Sequence, residues 1–195
     1  PVKTLKELVA FIKSHPDQVT FATTGSAGQF AGELMMQITK SRMIHVPYKG
    51  AGQAIVDLLG GHVDMMFASP VTAIEQANSG MIRAIAVTGA RRLAKLPDVP
   101  TSAEAGFPGL TMSSWYGFAA PARTPKDIIK KLNANIVAAL GQPALRERLN
   151  SFGLTPIGNS PEEMTAFLKS ESERWEKVAR QANVTVRCTM RWALQ

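Results

Sequence analysis

Three times in succession, a short apolar run ends in a loop of small residues and passes directly into a helical pattern. The first instance, residues 19–36, opens with Val19-Thr20-Phe21-Ala22, breaks at Thr23-Thr24-Gly25-Ser26-Ala27-Gly28-Gln29, and turns helical to about Lys40. The second runs from Met43-Ile44-His45-Val46 through Pro47-Tyr48-Lys49-Gly50-Ala51-Gly52 into a helix from Gln53 to Leu59, stopped by Gly60-Gly61. In the third, Val63-Asp64-Met65-Met66-Phe67 meets Ala68-Ser69-Pro70, where Ser69 is placed to cap and Pro70 to open a helix ending at Asn78-Ser79-Gly80. Residues 82–87, nearly all apolar, read as a fourth strand buried on both faces. Such alternation with short connections dictates a parallel α/β sheet, whose ligands bind beyond the carboxyl ends of the strands. The loops at those ends, residues 23–29, 48–52 and 68–71, then share one rim.

Small residues let a ligand approach the backbone closely, and each following helix presents unpaired N–H groups and the positive end of its dipole. An anion or carboxylate cradle is the functional reading of Thr23 to Gln29; an ordinary strand-to-helix turn is the alternative, and spacing alone does not choose between them. Lys49 is a candidate partner for a carboxylate, although an exposed ion pair contributes only about 0–1 kcal/mol. Charge-assisted hydrogen bonds from backbone donors in a dry cleft are stronger, roughly 1.5–3 kcal/mol.

Outside this core, Thr4-Leu5-Lys6-Glu7 is a capping box for a helix with an apolar stripe of Leu5, Leu8, Val9 and Ile12. Leu96-Pro97-Asp98-Val99-Pro100 reads as extended, and Thr101 to Gly106 as a short capped turn. Residues 111–119 read as a long strand carrying Trp115 and Tyr116, one side chain facing a cleft and the other packing. After Pro121 the composition shifts to amphipathic helices: from Thr124 to about Leu140, from Pro143 to Ser151, and from the Ser160-Pro161-Glu162-Glu163 cap to about Ala182. A boundary therefore falls near residues 118–121, with 1–117 and 118–195 as two units. Residues 184–195 are expected to add no more than an edge strand.

Several chemistries are excluded. The 195 residues, 45% apolar and 19% charged, suit a globular protein, and no apolar run approaches the roughly 20 residues of a membrane span. A chain that opens on Pro1 without signal peptide is expected to be mature, or cut from something longer. The net charge of +7 is spread along the chain without a recognition helix or zinc finger, so nucleic acid is not an expected partner. Cys188 is alone, which precludes an intrachain disulfide. The motif from Gly50 to Ile55 has Ile55 where a dinucleotide fingerprint needs a third small residue, and no phosphate-binding Gly-Lys-Ser/Thr loop occurs. Ser26 lacks the glycine two positions earlier that a nucleophile elbow requires, and His15, His45 and His62 show no metal-ligand spacing. No cofactor, metal or catalytic set is expected.

Blocks along most of the chain carry a family likeness. His45-Val46-Pro47-Tyr48-Lys49-Gly50, followed by Asp57-Leu58-Leu59-Gly60-Gly61-His62-Val63-Asp64, strongly resembles the Bug (TctC-like) receptors of tripartite tricarboxylate transporters. Ala84-Ile85-Ala86-Val87-Thr88, Leu96 to Thr101, Glu104-Ala105-Gly106, Ser114-Trp115-Tyr116-Gly117 and Lys131-Leu132-Asn133 match in the same order. The resemblance implies an α/β fold of the type II periplasmic-binding-protein kind: two lobes with parallel-dominated sheets, joined by crossing strands and closing on a small carboxylate. It implies a periplasmic location, membrane permease subunits as partners, and a monomer at full length. The ligand would be held largely by backbone amides of the first loop. The expected site comprises Thr23, Thr24, Gly25, Ser26, Ala27, Gly28, Gln29, Tyr48, Lys49, Ala68, Ser69, Pro70 and Trp115. Against the family pattern, loop 23–29 is short, Gln29 stands where a His is common, and the tail after Val184 does not match. An earlier segment, supplying the first half of one lobe, is also expected to be missing, which leaves that lobe incomplete and apolar helix faces exposed.

The leading expectation is thus a solute-binding receptor, not an enzyme. Two other classes stay open at this point: a cytoplasmic effector-binding domain of the LysR type, and a small hydrolase using Ser26 with a distant His.

Overall fold

The computed structural model describes residues 2–181. The first helix, α1 (Leu5–Ser14), is capped by Thr4, whose Oγ1 accepts from Glu7 N at 3.2 Å. Its capping box is shifted by one residue: Glu7 Oε2 accepts from Lys3 N at 2.7 Å, outside the Thr4 position that the motif predicts. Three parallel strands follow, β1 (Thr20–Thr23), β2 (Ile44–Pro47) and β3 (Met65–Met66), in the order β2-β1-β3. Each feeds a helix: α2 (Ser26–Thr39), α3 (Ala51–Leu59) and α4 (Pro70–Asn78). Parallel neighbours require crossovers, so all three helices start from the same edge of the sheet.

The strand period of two divides the core. Val19, Phe21 and Met43 face Leu5, Val9 and Ile12 of α1 and Met35 of α2, in the larger apolar cluster. Ala22 faces the other way, onto Ala54 of α3 and Val63. Phe21 is the pivot. Fully buried, it meets Phe67 edge-on at 5.9 Å and lies beneath Gly32, where a Cβ would sit only 2.3 Å from its ring.

Two expected strands are absent. Residues 82–87 are half-buried or exposed rather than enclosed, and only Val87 makes a bridge, to Thr101. Residues 111–119 run without a ladder partner among the described residues, and they are exposed from Ser113 onward. β-Branched composition favours a pleated, half-buried surface, but a strand exists only where a neighbour accepts its hydrogen bonds. Those of Val87 and Thr88 go instead to Pro100, Ser102 and Met112.

The helices after Pro121 form close to their expected bounds, α5 (Lys126–Gly141), α6 (Pro143–Ser151) and α7 (Pro161–Gln181), although Pro125 rather than Thr124 stands at the N-cap of α5 and neither α5 nor α6 has a side-chain cap. α7 packs on α2 through Phe30–Trp175, with ring centroids 5.5 Å apart, and a hydrogen bond from Gln37 Nε2 to Val178 O. α5 contributes no buried residue, and Ile128, Leu132 and Val137 lie exposed along it. The expected exposed apolar face is therefore present. The tail from residue 184, including Cys188, lies outside the described residues.

At α7 the capping box is complete: Ser160 Oγ accepts from Glu163 N at 3.1 Å, and Glu163 Oε2 from Ser160 N at 2.7 Å. These bonds hold the Glu163 carboxyl below the usual range, the backbone donor of Ser160 first. Their contribution is thus fully present above the unfolded carboxyl value and fades as pH falls through the lower folded one. Ser160→Ala is expected to cost about 1 kcal/mol in urea unfolding, whereas Glu163→Gln, which removes the titrating carboxyl, is expected to flatten that acid-side dependence.

Candidate functional site

The carboxyl ends of β1, β2 and β3 define a rim on which the three expected loops stand, although each is shorter than its sequence suggested. α2 begins at Ser26, so only Thr24 and Gly25 are loop, while Ser26, Ala27, Gly28 and Gln29 form the first helical turn. Gly25 makes the turn possible, with φ 144° and ψ 175°, a conformation essentially reserved for glycine. Ala51 and Gly52 likewise belong to α3, after Tyr48, Lys49 and Gly50; Pro70 is the first residue of α4, after Ala68 and Ser69.

The electrostatics of these starts separate them from most other helices of the chain. α1, α5 and α7 carry an acidic residue in their first turn: Glu7, Asp127, and Glu162 with Glu163. α2, α3 and α4 carry none, and none receives a side-chain cap. No described residue accepts from Ser26 N, Ala27 N or Gly28 N; the first intrahelical bond of α2 runs from Gln29 N to Gly25 O at 3.4 Å. In α3, Ala54 N is the first to be taken up, by Gly50 O, which leaves Ala51, Gly52 and Gln53. α4 offers less, because Pro70 has no N–H and Thr72 N already bonds Ser69 O at 3.0 Å; Val71 N remains. Two helices therefore supply most of the donors. Each such terminus is equivalent to roughly half a positive charge, and no carboxylate stands in the rim loops to neutralise it. Lys49, exposed at this edge, adds to the positive field.

Not every expected site residue faces the rim opening. Thr24, Gly25, Ser26, Ala27, Lys49, Ala68 and Ser69 are exposed; Gly28, Gln29, Tyr48 and Pro70 are half-buried. Thr23 is only 1% exposed, and its side chain is a support rather than a contact. Its Oγ1 meets His45 Nε2 at 2.7 Å, and its carbonyl accepts from Tyr48 N at 2.8 Å. Tyr48 is tied in turn, its hydroxyl donating to Asp57 Oδ2 at 2.7 Å, a bond that raises the phenol above its ordinary value. Ser69 Oγ pairs with Thr72 Oγ1 at 2.9 Å. Trp115, 43% exposed, packs edge-on against Phe167 of α7 at 5.6 Å. Phe167 lies eight residues before Trp175, which touches Phe30, so α7 carries Trp115 about 12 Å along from that contact.

Sequence reasoning missed two residues that fix the rim, His45 and Asp57. The alternation of His45 with Val46 and Pro47 placed the ring on one face of β2, but its partner lies on the neighbouring strand. Ser26 makes no hydrogen bond to a histidine among the described residues, and His45 Nε2 is engaged by Thr23. No group of three or more His, Cys, Asp or Glu that could hold a metal ion occurs among the described residues. An open hollow of about 500 Å³, lined by Ala77, Met81, Arg83 and Leu96 among others, sits at the opposite end of α4 from the rim.

Solved periplasmic binding and transport proteins share this fold. R. palustris Rpa4515 with adipate superposes with a TM-score of 0.82 at 33% identity, covering 94% of this chain and 62% of that one. MatC (Rpa3494) from Rhodopseudomonas palustris with bound malate gives 0.77 at 32% identity, covering 91% and 62%. Residues 1–184 match the tripartite tricarboxylate transporter family receptor profile, TctC, and the chain belongs to that family. Protein BugT of Bordetella pertussis is 35% identical over 185 residues, which cover 94% of this chain and 57% of BugT. The chain spans about half the length of the curated relatives it matches.

Proposed function

We propose that this chain forms the carboxylate-gripping part of a periplasmic receptor that captures a small carboxylate and passes it to the permease subunits of a tripartite transporter. One observation carries the reading: α2, α3 and α4 start at one sheet edge with neither side-chain caps nor first-turn acids, which leaves N–H donors and dipole charge for an anion. Adipate in Rpa4515 and malate in MatC support the choice of ligand class. In this reading the protein binds and releases without chemistry, needs no cofactor and contacts no nucleic acid. Residues 1–117 make one lobe, 118–195 are the returning part of the other, and the whole receptor is a monomer. The ligand carboxylate lies against Ser26, Ala27 and Gly28 of α2 and Ala51 to Gln53 of α3, with Lys49 and Trp115 beside it. Family membership favours this over a cytoplasmic effector domain.

A thermal-shift screen against mono-, di- and tricarboxylates tests it. A ligand at 100 times its dissociation constant adds about 2.7 kcal/mol to stability, a clear rise in Tm. No stabilisation by any of them, with neutral analogues as controls, removes the proposal.

A further inference from the structure

We propose that His45 is a positioning residue of this rim, acting through Thr23 on the first turn of α2, so that protonating its ring loosens the turn and weakens carboxylate binding. The affinity part rests on the carboxylate reading; the coupling from His45 to α2 does not. The parallel register pairs Phe21 with His45 and Thr23 with Pro47, which puts Phe21, Thr23 and His45 on the one sheet face that α2 covers. The imidazole stacks on Phe21 at 5.0 Å, and its Nε2 lies 2.7 Å from Thr23 Oγ1. Thr23 in turn underlies the helix start: a Cβ at Gly28 would come within 3.0 Å of Thr23 Cβ and 3.2 Å of its methyl group. Its carbonyl holds Tyr48 N, so one buried threonine touches the starts of both donor-rich loops.

The chemistry of the pair makes it sensitive to a proton. We take the neutral ring as the tautomer protonated on Nδ1, to whose Nε2 the Thr23 hydroxyl donates. Once the ring is protonated, both nitrogens are donors, so Thr23 Oγ1 can only accept and its own hydrogen needs a new acceptor. No described residue other than His45 bonds that oxygen, and a buried hydroxyl left unpaired is costly. Burial already lowers the imidazole below its ordinary value, so the fold favours the neutral ring. The surrounding charges offer little compensation. From β1 the ring meets only Phe21 and Thr23, both uncharged. α2 carries one ionisable side chain, Glu33, whose carboxyl burial pushes up. Arg42, before β2, pairs with Asp17 at 2.6 Å, and Lys49 beyond it is exposed. Asp57 of α3, on the opposite face, accepts from Tyr48. The sign follows: the folded ring takes up its proton below the unfolded value, so affinity is full at neutral pH and falls as pH drops through the lowered midpoint.

An NMR titration from about pH 8 to pH 5 spans the ordinary imidazole value near 6.5 and reads the coupling without ligand. The amides of Ser26, Ala27 and Gly28 are expected to move with the His45 midpoint, which burial places below the ordinary imidazole value. In Thr23→Val the ring still titrates while these amides no longer follow it. His45→Gln, which keeps a polar group near the Nε2 position, holds them still throughout and serves if the valine variant fails to fold. The proposal is overturned if His45 titrates with the amides unmoved, or if they move equally in Thr23→Val or His45→Gln. In parallel, adipate titrations at both pH limits should show at least about a fivefold greater loss of affinity on acidification in the parent than in His45→Gln. Protonation of the adipate itself is common to both proteins, and equal losses contradict the affinity part. Absence of adipate binding at every pH counts against the carboxylate reading alone, since the amide response still decides the coupling.

Discussion

Replacing Phe21 by alanine is expected to cost about 3–5 kcal/mol, the largest effect of any single side chain in this fold. Phe21 is fully buried on the central strand, meets α1 and α2, stacks on His45 and meets Phe67 edge-on. Its contact with Gly32 provides a second, oppositely signed check. Glycine in mid-helix ordinarily loses roughly 0.5–1 kcal/mol to alanine, so helix propensity alone favours Gly32→Ala. The Cβ would, however, lie 2.3 Å and 2.5 Å from Phe21 Cε2 and Cζ, and the ring has no free space to move into. Overpacking of this kind costs about 1–3 kcal/mol, so Gly32→Ala is expected to destabilise despite the better helix former. Combining it with Phe21→Leu should recover part of the loss. Urea unfolding of the three single variants and the Gly32→Ala/Phe21→Leu double variant checks both claims, and strict additivity of Gly32→Ala and Phe21→Leu would deny the contact.

Ser26→Asp is expected to raise stability while lowering carboxylate affinity tenfold or more. An acid in the first turn of α2 neutralises the helix start and gains about 0.3–1 kcal/mol. The same charge opposes an incoming carboxylate by about 4 kcal/mol at 4 Å under near-surface screening. Ser26 is exposed, so packing does not confuse the result. Thermal denaturation paired with adipate titration reads both signs. A variant that binds adipate as well as the parent would place the ligand elsewhere.

Much of the fold was legible because its signals are local. Gly61 and Pro70 punctuate helices by their own backbone chemistry, and Ser160 with Glu163 forms the cap its spacing announces. The strands that failed depend on partners far along the chain. Residues 82–87 and 111–119 have strand composition, yet little pairs with them. At the site, the rim loops were correctly grouped, since strand-to-helix order alone puts them on one edge. The role of Thr23 was not legible, because only the register between β1 and β2 brings His45 to it. Asp57 was hidden for a similar reason, nearly two turns of helix and a loop away from Tyr48. The lack of acids at the starts of α2, α3 and α4 was present in the sequence throughout. It acquired meaning once the helix boundaries showed which residues form the first turns.

The central claim is that the starts of α2 and α3 grip a carboxylate through their backbone amides. Mapping amide chemical shifts during a titration with adipate tests it most directly, because even weak binding registers at the residues that donate. The largest shifts are expected at Ser26, Ala27 and Gly28 and at Ala51, Gly52 and Gln53, with a smaller one at Val71. Shifts centred on Ala77, Met81 and Leu96 instead, or none anywhere at millimolar adipate, would contradict it.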